Sequence, residues 1–202
     1  MVEASTKVVW TDVPVPQTST TVYEALIKRR MAWKWLDKAV PRDAVERMLS
    51  TAVWAPNHKH TEPWRFYVME KDSPLRNKVA DFAKAAVLKQ NAEDATRADR
   101  MRAWVLNQPL LIFAFSVPGI HEEMTRENYA ATVCAMHNVN LAGVVEGLAV
   151  TWETGGVAKL PGLAEAVGGQ ADWQLVCMAT VGYGDEESKS ERTPVDAFTT
   201  WA

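Results

Sequence analysis

Two adjacent arginines, Arg29 and Arg30, are the first residues of the chain whose type and spacing could bind a ligand. Guanidinium groups pair with phosphate oxygens in a bidentate way. Neighbouring residues of a helix point about 100° apart, so one arginine can reach a phosphate while the other contacts a different part of the ligand. The alternative is that both are cations at the C-terminus of a helix, where the helix dipole favours them. The spacing alone favours this structural alternative.

A polar, His-rich turn follows about one helix later, between Ala55 and Thr61. An imidazole can hydrogen-bond ligand oxygens. His58 and His60 lie on the same side of an extended segment, which also suggests a metal site. The other histidines and the cysteines have no ligand-like spacing around them: His121, His137, Cys134 and Cys177. The sequence therefore does not predict a metal site.

The composition predicts one domain without a nucleic-acid or membrane partner. A chain of 202 residues with 48% apolar content can bury a sizeable core. The net charge of -3 gives no nucleic-acid footprint, and no apolar run is long enough to span a bilayer. Cys134 and Cys177 lie in apolar runs and are expected to be free thiols in a reducing compartment. With no leader sequence visible, the expected location is the cytoplasm.

Helix signals recur along the chain. Thr21 and Glu24 form a capping-box pattern, which predicts a helix that buries Tyr23, Leu26 and Ile27 and ends near Arg29. Apolar residues at helical spacing, with Pro or Gly at the ends, predict the other helices. They start after Pro41, at Pro74 with a continuation through 91–105, at 125–147 and at 161–167. The helix at 125–147 is apolar almost all round, so it lies in a large core or at a subunit interface.

Four short runs of aromatic, branched or continuous apolar residues predict strands, at 64–69, 110–115, 148–152 and 173–181. Strands and helices do not alternate strictly, so the predicted fold class is α+β. Residues 1–20 are predicted to be an extended N-terminal arm, and residues 21–202 a single domain. The polar tail ends in two exposed-looking aromatic residues, Phe198 and Trp201.

The two motifs together resemble those of the nitroreductase family. The first is Arg29-Arg30-Met31, and the second runs from Ala55-Pro56 through Glu62-Pro63-Trp64 to Phe66. The resemblance covers roughly residues 21–195 and is closest to a short subgroup with a His-Lys pair, here His58-Lys59. It implies a three-layer fold with a central, mostly antiparallel sheet flanked by helices. It also implies an intertwined homodimer that binds flavin mononucleotide (FMN) at the subunit interface.

The resemblance also implies which residues contact FMN. Met31 stands where the family has Ser, Trp54 where it usually has Arg, and Glu62 where it usually has Gln. His58 is expected to act across the dimer interface, and a backbone N–H after the third strand donates to the flavin ring. Two tail cations would close the phosphate site, with a solvated loop as the alternative. The full set is Arg29, Arg30, Met31, Lys34, Trp54, His58, Glu62, Trp152, Glu153, Thr154, Gly155, Lys189 and Arg192.

The implied activity is oxidoreduction: hydride passes from NAD(P)H to FMN, and a small-molecule acceptor then replaces the nicotinamide in a ping-pong cycle. Nitroaromatic, quinone or similar compounds are the expected acceptors. No side chain is expected to act as acid or base, because solvent can supply protons. The alternative is a non-catalytic, flavin-binding or flavin-free dimeric scaffold. Its basis is that Met31, Glu62 and Glu153 remove polar or basic partners of a flavin.

Overall fold

The computed structural model describes residues 16–185 and 190–202. Six α-helices and four strands occur in this part of the chain, together with three 3₁₀ segments. The helices are α1 Val22–Lys28, α2 Arg42–Ala52, α3 Pro74–Gln90, α4 Ala95–Asn107, α5 Glu122–Val145 and α6 Leu163–Val167. The strands are β1 Trp64–Met69, β2 Leu110–Ser116, β3 Ala149–Glu153 and β4 Gln174–Gly182. The α+β fold class is confirmed.

The four strands form one antiparallel sheet in the order β1-β2-β4-β3. β1 and β3 are therefore the two edge strands. Inter-strand spacing in a sheet is about 4.8 Å, so the two edges lie roughly 14 Å apart. The register pairs Thr151 of β3 with Thr180 of β4 and Glu153 with Met178. These pairs fix which side chains share a face of the sheet.

Each face of the sheet carries a hydrophobic core, which gives the expected three layers. One core joins the sheet to α2 and α5 and includes Met48, Met136 and Ile112. The other joins it to α3, α4 and α6 and includes Val79 and Phe113. Alternate residues of a strand point to opposite faces, which is why β2 is buried along its whole length.

Most predicted elements are confirmed, with two corrections. Thr21 forms the predicted capping box with Glu24. Residues 91–105 do not continue α3: Asn91 is extended, and Asp94 caps the separate helix α4 by accepting from the Arg97 N–H. The predicted burial of Tyr23, Leu26 and Ile27 is wrong for the protomer, where they are 80%, 44% and 67% exposed. α1 instead buries Ala25 against α5.

Residues 1–15 of the predicted N-terminal arm lie outside the described residues. Residues 16–20 are irregular and run beside α1 and α5, where they line an apolar groove of about 340 Å³. The tail from 190 to 202 is exposed throughout, including Phe198 and Trp201. The division into an arm and a single domain stays a prediction.

Candidate functional site

The segment Arg29–Lys34 is fixed onto the edge strand β3. α1 ends where the backbone N–H of Arg29 donates to the Ala25 carbonyl, at 3.0 Å. Three residues further on, the Thr151 hydroxyl donates to the Ala32 carbonyl at 3.0 Å and accepts from the Ala32 N–H at 3.3 Å. The Lys34 carbonyl accepts from Asp185 N–H at 3.1 Å, just after β4. The segment that carries both arginines is thus held at three points.

The two arginines differ in their surroundings. Arg30 Nη1 donates to the carbonyls of Ile27 and Arg29 at the end of α1, and its buried Nε has no hydrogen-bond partner among the described residues. The guanidinium of Arg29 makes no hydrogen bond or ion pair with any residue in 16–185 or 190–202. The alternative role predicted from the sequence, a cation at the C-terminus of a helix, therefore applies to Arg30. Arg29 keeps its charge available for an anion.

The end of β3 lies next to this segment. It carries the carboxyl group of Glu153 and is followed by exposed backbone at Thr154 and Gly155. Glu153 accepts a hydrogen bond from the Thr180 hydroxyl at 3.3 Å, and burial raises the pKa of its carboxyl group above the ordinary glutamate value. Trp152 is partly buried on the opposite face, where it packs against the core beside α5. Thr154 and Gly155 are exposed, and a Cβ added to Gly155 would meet no atom within 4 Å.

The His-rich turn has an unusual backbone. Lys59, His60 and Glu62 have φ of 57°, 49° and 46°, in the left-handed region that residues other than glycine seldom adopt. Each such residue costs on the order of 1–3 kcal/mol unless its surroundings enforce it. Strained backbone of this kind is concentrated at ligand-binding sites, so the turn is a second candidate binding element.

Hydrogen bonds from α5 hold this turn in place. The Thr61 hydroxyl donates to Asn128 Oδ1 at 2.7 Å, and Asn57 Oδ1 accepts from the Glu62 N–H at 2.8 Å. Asn128 is buried and also donates to the Val117 carbonyl. His58 Nδ1 lies 2.9 Å from a carboxylate oxygen of Glu127. Trp54, in the loop after α2, is 47% exposed.

The protomer does not bring the two motifs together. The turn packs on α5 at Glu127 and Asn128, whereas α1 shares a groove with Leu141 and Ala142. Fourteen residues of helix separate these points, a distance of about 20 Å at 1.5 Å per residue. The turn also precedes β1, at the opposite edge of the sheet from β3. Within the described residues, the two motifs therefore contact α5 at well-separated points.

Of the two tail cations, the structure describes only Arg192, which it does not place at the site. Lys189 lies outside the described residues. Arg192 is exposed and donates to its neighbours, Ser190 Oγ and the Glu191 carbonyl. The sequence missed Thr151, Thr180 and Asn128. A polar residue inside a run predicted to be buried was the available signal for all three.

Three further observations bear on the function. In the part of the chain that the structure describes, no cluster of three or more His, Cys, Asp or Glu could hold a metal ion. No helix of those residues is long and apolar enough to cross a bilayer. Cys134 and Cys177 are both unpaired, and burial raises the pKa of the Cys177 thiol to about 12.

The three-layer fold and the cation beside the end of β3 are now compared with known proteins. The model of the nitroreductase family matches residues 26–183. The chain therefore belongs to the nitroreductase family.

Individual relatives agree with this assignment. YfhC of Bacillus subtilis strain 168, provisionally named an NAD(P)H nitroreductase, is 27% identical over 194 residues, which cover 92% of this chain and 99% of YfhC. The crystal structure of a nitroreductase-like family protein from Bacillus cereus is 28% identical, with a TM-score of 0.82 over 93% of this chain and 99% of that one. The FMN-dependent nitroreductase NfnB of Mycobacterium smegmatis, solved with NADPH, is 16% identical, with a TM-score of 0.70 over 90% and 98% of the two chains.

Proposed function

We propose that this protein is an FMN-dependent oxidoreductase that takes hydride from NAD(P)H and reduces nitroaromatic, quinone or similar acceptors in a ping-pong cycle. Family membership and the names of its relatives support the class of reaction. The observation that carries the proposal is the Arg29 guanidinium, which no carboxylate of the described residues neutralises, on a segment fixed beside an open strand end. The cytoplasm, suggested by two free thiols, is part of the proposal.

The residues present fit FMN. Its phosphate is a dianion, and Arg29 offers a guanidinium that makes no ion pair with the described residues. Lys34 is a second cation further along the same segment. The buried Nε of Arg30 has no partner in residues 16–185 or 190–202, as expected of a group that a ligand oxygen completes. Backbone at Thr154 and Gly155 is exposed, so its N–H groups can donate to a flat ligand. When bound, FMN supplies the two-electron chemistry, and these residues bind and orient it.

A homodimer completes the proposed site. In a two-fold dimer, the partner subunit can place its own His-rich turn against this protomer's Arg29–Lys34 segment, which the 20 Å separation within one protomer prevents. The exposed apolar side chains of α1 support such an interface, as do those of the tail. They are Tyr23, Leu26, Ile27, Phe198 and Trp201. In this arrangement His58 and Trp54 contact FMN bound to the other subunit.

The three departures from the family pattern, Met31, Glu62 and Glu153, differ in how strongly they should weaken FMN binding. Met31 retains its backbone groups and can make S–aromatic contacts. Glu62 is exposed, and its backbone lies in the strained turn. Glu153 holds its proton to a higher pH than an ordinary glutamate, which reduces its repulsion of an anionic ligand. The non-catalytic scaffold remains the competing function.

A visible absorption spectrum before and after anaerobic NADPH separates the two functions. The oxidoreductase shows a flavin spectrum that bleaches, and subsequent addition of a quinone restores it. A colourless protein that cannot be loaded with FMN establishes the scaffold instead.

Variants then test the site. Arg29→Ala should weaken FMN binding at least tenfold, and Arg29→Lys should recover part of the loss because it keeps the charge but loses the bidentate geometry. Arg42→Ala is the matched control, since Arg42 is an exposed arginine at the start of α2. Equal FMN affinity in Arg29→Ala and Arg42→Ala would remove Arg29 from the site.

A further inference from the structure

Glu153 lies in the strand that holds the Arg29–Lys34 segment. Thr151, which holds that segment through Ala32, precedes Glu153 by two residues in β3. Residues two apart in a strand share a face and have Cα atoms about 6.7 Å apart. The hydrogen bond from Thr180, the register partner of Thr151, confirms that Glu153 points to this face. A single strand thus positions both the cationic segment and a carboxyl group.

Among the described residues, the Glu153 carboxyl group has one polar contact and no cationic partner. Thr180 Oγ1 donates to Oε1, which leaves Oε2 able to carry a proton. The charged residues on the neighbouring elements are Arg29, Arg30 and Lys34 on the preceding segment and Lys159 on the 3₁₀ turn after β3. Among residues 16–185 and 190–202, no cation lies within 4.0 Å of this carboxylate. Burial therefore raises the pKa of Glu153, and no cation in the part of the chain that the structure describes offsets this effect.

We propose that Glu153 is a catalytic acid, which protonates the electron acceptor as it is reduced. The inference rests on the proposed function and replaces the expectation that solvent supplies this proton. Reduction of a quinone to a hydroquinone takes one hydride and one proton. The hydride, which originates from NAD(P)H, reduces the quinone, while the O–H bond at Glu153 Oε2 breaks and its proton forms a new O–H bond on a quinone oxygen. Water then reprotonates the Glu153 carboxylate.

The test is single-turnover kinetics of the FMN-loaded enzyme, with the two half-reactions measured separately across pH. Reduction by NADPH is followed as flavin bleaching, and reoxidation by a quinone as its return. Glu153→Gln keeps an acceptor for the Thr180 hydroxyl but has no acidic proton. It should slow reoxidation about 100-fold, at least tenfold more than it slows reduction, and it should flatten the pH profile of reoxidation.

Thr180→Val tests the same proton by raising the pKa of Glu153 instead of removing its acidic group. The Thr180 hydrogen bond lowers the pKa of Glu153, so its removal should raise that pKa and move the profile of reoxidation to higher pH. A merely structural role predicts a change in rate without this displacement. Matched controls are Glu165→Gln, an exposed glutamate on α6, and Thr132→Val, a buried threonine on α5 that bonds its own helix. Both controls should keep the wild-type profile.

A second readout does not need the cofactor. Infrared difference spectra of the flavin-free protein should show a protonated carboxyl that titrates above the ordinary glutamate range, disappears in Glu153→Gln and titrates at higher pH in Thr180→Val. Reoxidation by Glu153→Gln with the wild-type rate and profile overturns the proposal in an enzyme that otherwise works. Wild-type protein that binds no FMN, or is not bleached by NADPH, overturns the proposed function and this inference together.

Discussion

Replacement of Thr151 by Val should detach the Arg29–Lys34 segment from the sheet. Thr151 is 2% exposed, Ala32 is 6% exposed, and the Thr151 hydroxyl bonds both the N–H and the carbonyl of Ala32. A buried backbone group left without a partner costs about 1–3 kcal/mol. If the segment stayed in place, two such groups would lower the free energy of unfolding by about 2–6 kcal/mol. If it lifts away, water satisfies Ala32 and the loss of stability is smaller, but Arg29 is no longer positioned.

Together, these two responses predict a change in both the stability of Thr151→Val and its affinity for FMN. We expect the free energy of unfolding of the flavin-free protein to fall by about 1–3 kcal/mol in Thr151→Val. We expect the Kd for FMN to rise at least tenfold, which corresponds to about 1.4 kcal/mol. Urea unfolding followed by tryptophan fluorescence gives the first quantity, and quenching of FMN fluorescence on titration gives the second. Protein concentration must be fixed, because dimerisation contributes to apparent stability.

Two matched variants make this prediction refutable. Thr151→Ser retains the hydroxyl and should bind FMN nearly as tightly as the wild type. Thr132→Val removes a fully buried hydroxyl that bonds only the Asn128 carbonyl on its own helix, so FMN affinity should not change. If Thr151→Val binds FMN as tightly as Thr132→Val does, the Ala32 contact does not position the site.

Other predictions concern stability and assembly. Arg76 is fully buried and donates to the carbonyls of Met69, Gln108 and Pro109, so Arg76→Met should lower the free energy of unfolding by about 3–5 kcal/mol in urea titrations. The pKa of Glu153 is raised on folding, so its contribution to stability is complete below the unfolded pKa and is lost as pH rises through the folded pKa. Glu153→Gln should therefore gain Tm relative to wild type between about pH 4 and pH 8, and an equal difference at both would contradict this. Ile27→Asp, on the exposed face of α1, should yield a folded monomer by light scattering that loses FMN; a dimer with full FMN content would contradict the proposed interface.

The elements of this fold were predictable where a local signal marked them. The capping box at Thr21, the strand at 64–69 and the fully buried strand that begins at Leu110 all follow from residue types within a few positions. The break between α3 and α4 was missed because residues 91–105 have good helix propensity. It depends on Asn91 leaving the helical region and on Asp94 capping the next helix. Propensity summed over a window does not detect such a competing cap.

The strained turn was beyond the reach of sequence rules for a different reason. Left-handed backbone is normally expected at glycine, and the chain has none between Ala55 and Thr61. Lys59 and His60 adopt it because side chains from outside the turn hold its ends, above all Asn128 of α5. That residue is 67 positions from its partner Thr61. A contact of this separation follows only from the packed structure.

The two interpretations of the arginine pair apply to different residues. The sequence offered two alternatives for Arg29 and Arg30, helix termination or ligand binding. The structure divides the alternatives, because Arg30 bonds the last carbonyls of α1 while Arg29 has no partner among the described residues. A helix that ends on one arginine fixes the direction in which the next part of the chain leaves it. Ala32 then binds Thr151, 119 residues away, and the segment lies against β3. We therefore expect Arg29 to bind the anion and Arg30 both to contact the ligand through its Nε and to position the segment, so an alanine at either should weaken FMN binding, but only the loss of Arg30 should also destabilise α1.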